Sequence, residues 1–318
     1  MRGRNFLLSR EVILGLAFTA LLAVPFVVFG GNKVVFVDKS ATGSEDGSST
    51  HPYQTIAKAL DHVSEGTEVR VKNGTYKENI TIPKNVDLMG DSEKRDKVII
   101  KAQNNDKPTV TMKSDTALSH VTVRDGRHGV RIDEDAKAHI FDVVVEGNDR
   151  DGIHIDSGSR DKKHRVLIDK TVIQDNGRAG IFSEKRFIVL INSDILSNDS
   201  DGLDLAHGTE AWLENNRFNE NKGSGAKFVL DDASIFGKKN GFRNNHREGL
   251  EVNAFGTAGT IELKRSAFIG NDRNGVARVA RTISGARLFG NLSFGVGINA
   301  SRFENDGLSG VSPVVRSF

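Results

Sequence analysis

The segment GNDRDGIHI at 147–155, with Asp156 after it, sets Asp149, Asp151, His154 and Asp156 within eight residues. Carboxylates supply general acids, general bases or nucleophiles, and an imidazole moves protons near neutral pH. Closely placed carboxylates of this kind are the machinery of glycosidic bond cleavage. A second stretch, NDSDGLD, places Asp199, Asp201 and Asp204 around another Gly. Oxygen donors in such number suit calcium, which takes six to eight of them.

Both stretches belong to a repeat. An Asn followed four residues later by Gly recurs at Asn148, Asn176, Asn198, Asn221, Asn245, Asn271 and Asn291, with DGRHG at Asp125 as an earlier copy. An apolar residue stands three positions before each Asn: Val145, Ile173, Ile195, Phe218, Phe242, Phe268 and Leu288. An alternating apolar pair follows most of the Gly residues, as in Ile153/Ile155, Leu203/Leu205, Leu250/Val252 and Val296/Ile298. Repeats of this length mark a solenoid, in which each unit buries its apolar face only by stacking on the next.

Period-2 alternation predicts short strands with one buried face. The Gly is expected to give backbone freedom at a corner, and the Asn to tolerate a left-handed corner. Stacked Asn amides would form a hydrogen-bonded ladder, and Phe218, Phe242 and Phe268 a file of rings inside. The expected architecture is an all-β parallel β-helix of roughly ten rungs, on the order of 45–50 Å long at one strand spacing per rung. Asn148, Gly152, Ile153 and Ile155 are then structural. The residues between the paired apolar positions form an outward column: Arg131, His154, Phe182, Asp204, Lys227, Glu251 and Ala277.

That column defines the candidate site. Asp151, His154, Asp204, Lys227 and Glu251 are the candidate catalytic groups, with His154 or Lys227 as base. Arg131 and Phe182 are candidate substrate contacts, Phe182 as a stacking platform. Asp199, Asp201 and Asp204 are candidate calcium ligands. A plain charge ladder of Asp204, Lys227 and Glu251 would account for the same residues by stabilising neighbouring strands.

The 318 residues include 33 Gly, five Pro and no Cys. The missing Cys excludes disulfides, thiolate metal ligands and a Cys nucleophile. Arg2, Arg4 and Arg10 precede an uncharged apolar run from Val12 to Phe29, long enough to approach a membrane span. Bulky Val28 and Phe29 stand where a cleavage site needs small residues, so residues 1–31 are expected to be a cytoplasmic tail and uncleaved signal anchor. The rest would be extracytoplasmic, at the cell surface or in the periplasm, and secreted if the segment is cut. Beyond that tail the charge is balanced, with 41 basic and 41 acidic residues. No clustered basic excess suggests nucleic acid. Residues 32–318 are read as one monomeric domain, with an N-terminal cap over 36–66 and rungs over 67–310. In the cap, Ile56, Leu60 and Val63 share a helical face that would cover the open core, and Gly66 would stop the helix.

GSSTHPYQTIAKAL at 47–60, GTEVRVKNGTYKENI at 66–80 and VDLMGDSEKRDKVII at 86–100, taken with the repeats, resemble the right-handed parallel β-helix superfamily of pectate lyases and related carbohydrate-active proteins. The resemblance implies a right-handed helix and a polysaccharide partner. It is less informative about activity. The QDTL and VDFIFG segments of pectin methylesterases are absent. NDRDG resembles the first acidic element of polygalacturonase-like hydrolases, with Asp151 at the matching acid, but Ala179 stands at the paired position one rung on. Asp151 and Asp201 would be two rungs apart. The expectation is an exported, membrane-anchored protein that binds or processes polysaccharide. Any enzyme activity would be that of a lyase or a glycoside hydrolase. The alternative is a non-enzymatic surface rod or adhesin that presents loops to a protein partner.

Overall fold

The computed structural model describes residues 33–253, 259–279, 294–299, 302–304 and 309–311. The expected signal anchor and Asn291 of the last repeat lie outside the described residues. Among the described residues no helix is long and apolar enough to cross a membrane.

The chain winds as a right-handed parallel β-helix, each rung contributing one short strand to each of three parallel sheets. The sheets hold 11, 10 and 10 strands. In one rung, Ala138–Phe141 lies in the first sheet, Val144–Glu146 in the second and Ile153–Ile155 in the third. Each strand pairs with its counterpart in the next rung, so equivalent residues stack in columns. The column from Val145 through Ile173, Ile195, Phe218, Phe242 and Phe268 is fully buried and continuous in register. Its rings stack in the expected file, Phe218 on Phe242 at 4.9 Å and Phe242 on Phe268 at 4.8 Å between centroids. Such contacts supply core packing that no three-residue strand could make alone.

The Asn residues form the expected ladder between the second and third sheets. Each side-chain amide donates to the next Asn Oδ1, across 2.8 Å from Asn148 to Asn176, 2.9 Å from Asn176 to Asn198 and 3.0 Å from Asn198 to Asn221. The ladder continues through Asn245 to Asn271. The second amide proton goes to a main-chain carbonyl, as from Asn221 to Ile195. Buried amides thus find partners for both protons.

Two details of the turn differ from expectation. The left-handed residue is the one before the ladder Asn: Gly147, Asp175, Ser197, Glu220, Asn244 and Gly270 have φ between 53° and 66°. The Gly four residues after each Asn is needed for space. A Cβ on Gly152 would stand 2.7 Å from Asn176 Nδ2 and 2.8 Å from the Gly180 carbonyl oxygen. A second, shorter ladder joins Asn216 to Asn240 at the turn between the first and second sheets, with Ser193 and Thr171 before it.

At the N-terminal end, Lys33–Val37 already pairs with Thr67–Val71 in the first sheet. Helix α1 (Ile56–His62) covers the core with Ile56 and Leu60. Thr55 caps it by accepting from Lys58 N, and Glu78 accepts from the Ile56 and Ala57 amides. The helix ends at His62, before Gly66, because Val63 is already extended. At the other end, Phe294–Asn299 joins the first sheet beside Gly259–Lys264. Val296 and Ile298 therefore do not continue the column that follows each Gly; alternation alone does not specify which of three faces a strand takes.

Candidate functional site

The third sheet positions the candidate residues. Most of its strands are three or four residues long, and in each repeat the residue between the two inward apolar side chains points outward. Main-chain pairing stacks Arg131, His154, Phe182, Asp204, Lys227, Glu251 and Ala277 in that order, as the sequence column requires. Beside it runs a second column at the residue before each Gly: His128, Asp151, Ala179, Asp201, Ser224, Glu248 and Asn274. The amides of Gly129, Gly152, Gly180, Gly202, Gly225 and Gly249 each donate to the carbonyl of that column's residue one rung on. A third column, on the turn itself, holds Arg127, Arg150, Arg178, Ser200, Gly223, Arg247 and Arg273, linked by the same kind of amide contact.

Three ionic clusters result. In the first, His154 Nδ1 lies 2.8 Å from Asp151 Oδ2, and His128 Nδ1 lies 3.3 Å from the same oxygen. The His128 contact is not aligned as a hydrogen bond, which leaves that buried nitrogen without one. The imidazoles face each other at 4.5 Å, and Phe182 stacks on His154 at 5.1 Å and 12°. His154 Nε2 approaches Asp156 Oδ1 at 3.6 Å, and Arg131 holds Asp156 in a forked contact. Burial would push the Asp151 carboxyl up. Its contacts with the two imidazoles outweigh burial and hold it down at about 2.

In the second cluster Lys227 Nζ donates to Asp204 Oδ2 at 2.8 Å and lies 3.8 Å from Asp201 Oδ2. Burial raises the Asp204 pKa despite that cation. In the third, Arg247 Nη2 reaches Glu251 at 3.0 Å, Arg273 Nη1 lies 3.7 Å from Glu248, and the Ser224 hydroxyl lies between the two carboxylates, 3.3 Å from each.

The structure therefore brings together Asp151 with His154, and Asp204 with Lys227. Glu251 is fully buried and sits with Arg247 instead of extending a charge ladder from Lys227. Arg131 serves Asp156. Phe182 packs on His154, which takes that face away from a sugar. The three proposed calcium ligands do not converge. Asp199 is exposed and pairs with Lys222 at 2.7 Å, and Lys227 already stands beside Asp201 and Asp204. His128, Glu248 and the Arg column went unread in the sequence, although the position before each Gly was open to the same column reading.

Residues 109–271, just over half of the chain, match the family described as right handed beta helix region. The chain belongs to the right-handed β-helix family. No curated protein matches it. Among solved structures this β-helix is similar to Geobacillus virus E2 ORF18, with a TM-score of 0.63 and 12% identity over 98% of this chain and 63% of that one. The chain thus spans less than two thirds of the viral protein. It is similar to pectate lyase Pel9A, with a TM-score of 0.59 and 13% identity over 86% of this chain and 77% of that one. It is also similar to the A-module of the Azotobacter vinelandii mannuronan C-5 epimerase AlgE4, with a TM-score of 0.54 and 12% identity over 89% and 98% of the two chains. At these identities the likeness is one of fold.

Proposed function

We propose that the edge of the third sheet binds an anionic polysaccharide. One contrast carries this reading. In the three inner clusters the charged side chains already face partners: Asp151 two imidazoles, and Lys227 and Arg247 two carboxylates each. The side chains of Arg127, Arg150 and Arg178, in three successive rungs, make no ion pair or hydrogen bond among the described residues. Guanidinium groups repeated at one strand spacing, about 4.8 Å, offer planar, bidentate recognition to a chain of carboxylates. Pectate and mannuronan, named in two of the structural neighbours, are both carboxylate-bearing chains. Lys227 is engaged by Asp204 and Asp201 within the protein, so recognition is favoured over turnover. The apolar run from Val12 to Phe29 would hold the protein at a membrane with its β-helix outside.

The test is retention of the full-length chain on polygalacturonate, alginate and a neutral dextran, in low and high salt. Salt-sensitive binding to the acidic polymers is expected, weakened about tenfold or more by Arg127, Arg150 and Arg178→Gln together. Equal binding to dextran, or indifference to the triple variant, would overturn it. Shortening of the polymer would add turnover to recognition.

A second reading, a rod that docks a protein partner, is favoured by a different face. Leu167, Val189, Trp212 and Phe236 stack in successive rungs on the outside of the first sheet. Trp212 is the only tryptophan, so its shielding from a soluble quencher on adding a partner reports this face.

A further inference from the structure

We propose that His128, Asp151 and His154 form a site for a divalent transition-metal ion of the zinc class. The proposal stands whether or not the protein binds a polysaccharide. One ligand atom from each residue falls within a single 4.8 Å cluster, formed by two imidazoles and one carboxylate. A tetrahedral ion with ligand distances of about 2.0–2.2 Å keeps its donors roughly 3.3–3.5 Å apart. The observed separations from Asp151 Oδ2, 3.3 Å to His128 and 2.8 Å to His154, lie close to that.

The second observation is His128 itself. It is 9% exposed, and its Nδ1 is buried, aimed at the carboxylate and without a hydrogen bond. The His128 contact is not aligned as a hydrogen bond, so a buried nitrogen beside the carboxylate has no hydrogen-bond partner. An ion at the focus of the three atoms satisfies all of them.

The surroundings are those of a supported ligand set. Metal-bound imidazoles commonly present their far nitrogen to a carboxylate, which fixes ring orientation. Here the far nitrogen of His154 approaches Asp156, and Arg131 fixes Asp156. Phe182 stacks on the His154 ring. The Ala179 amide donates to Asp151 Oδ1 at 3.3 Å, leaving Oδ2 for the focus. Two nitrogens with a single carboxylate suit zinc, cobalt or nickel, whereas calcium takes six to eight oxygens. Three protein ligands leave a fourth position for water or a ligand oxygen. The His154 side chain is 27% exposed, so solvent reaches the site.

The experiment uses the full-length chain, stripped with chelator and dialysed, then titrated with Zn2+ by calorimetry and with Co2+ by visible absorption. One equivalent of each is expected, with a tetrahedral cobalt spectrum and a higher Tm with zinc. Affinity should fall on the order of a hundredfold in His128→Ala and in Asp151→Asn, and remain in Asp204→Asn and Asp199→Asn. No stoichiometric uptake would overturn the proposal. So would uptake indifferent to His128→Ala, or lost equally in Asp204→Asn. Should the His128 or Asp151 variants not fold, the wild-type cobalt form decides: paramagnetically shifted proton resonances from two imidazoles support the site, and their absence refutes it.

Discussion

Lys227 reaches back one rung to donate to Asp204 at 2.8 Å, and the other oxygen of Asp204 is buried without a hydrogen bond. Burial raises the Asp204 pKa even with this cation in place. Removing Lys227 therefore leaves an uncompensated buried charge, which typically costs about 3–5 kcal/mol. Lys227→Met should be destabilised by about that much at neutral pH. A carboxyl with a raised folded pKa favours the fold when protonated, so the deficit should shrink as pH falls and Asp204 takes a proton. Asp204→Asn combined with Lys227→Met should be much less damaging than Lys227→Met alone. Urea titrations of the four proteins measure the coupling directly.

Arg186 is fully buried and bonds main-chain carbonyls of four residues. It donates to Asp133 at 3.2 Å, Asp156 at 2.9 Å, Ala136 at 2.5 Å and His164 at 3.3 Å. Two of these lie at the ends of the connection over 156–165, so one guanidinium fastens that loop to the rungs around it. Lys presents a single ammonium and cannot reproduce the fork. Arg186→Lys should cost about 2 kcal/mol or more, and Arg186→Leu still more, because the carbonyls lose their donor. Hydrogen exchange should rise first over 156–165 while the Asn ladder stays protected.

The repeat was legible because a solenoid imposes one local solution many times. Val145, Ile173 and Phe218 share a column, and the chain says so at nearly constant spacing. The outward column from Arg131 to Ala277 followed from the same register. The partners within it did not. Glu251 turns to Arg247, and Asp151 takes two imidazoles from different rungs. Those choices depend on side-chain reach across turns, which periodicity does not encode. The role of Gly152 was misread for a related reason: its sequence position suggests conformational freedom, and only the stacked neighbour reveals the missing room for a Cβ. Val296 and Ile298 repeat the alternation but sit in another sheet.

Asp87 points outward from the first sheet yet is buried. Burial, with a smaller push from Glu68, raises its pKa to about 6, although it accepts the Ala117 amide at 2.8 Å. For a carboxyl whose folded pKa is raised, the protonated form supports the fold. Stability should be greatest below the unfolded value near 4 and fall as pH rises through about 6. Asp87→Asn keeps an acceptor for Ala117 and removes the charge. It should be more stable than wild type at pH 7, by roughly 2 kcal/mol, and should flatten stability between pH 4 and 6. Thermal unfolding across that range measures both effects, and a wild-type profile rising with pH would contradict the assignment.

Gly225 separates the two explanations for the glycine of each repeat. It is absent from the positive-φ glycines, so Ala can adopt its backbone conformation. Its missing side chain is what the fold uses. A Cβ there would lie 2.7 Å from the Gly249 carbonyl oxygen, 2.8 Å from Asn245 Nδ2 and 3.2 Å from Phe242. All three belong to the next rung, and Asn245 is a ladder residue that cannot move without releasing Asn221 and Asn271. Gly225→Ala should therefore destabilise by about 2–3 kcal/mol, the range of overpacking, where a conformationally neutral site would gain up to about 1 kcal/mol. Gly241 is the control: a Cβ there meets only the Arg243 side chain, at 3.6 Å. Gly241→Ala should be close to neutral in the same denaturant titration. Equal losses at the two positions would remove the steric account of the repeat.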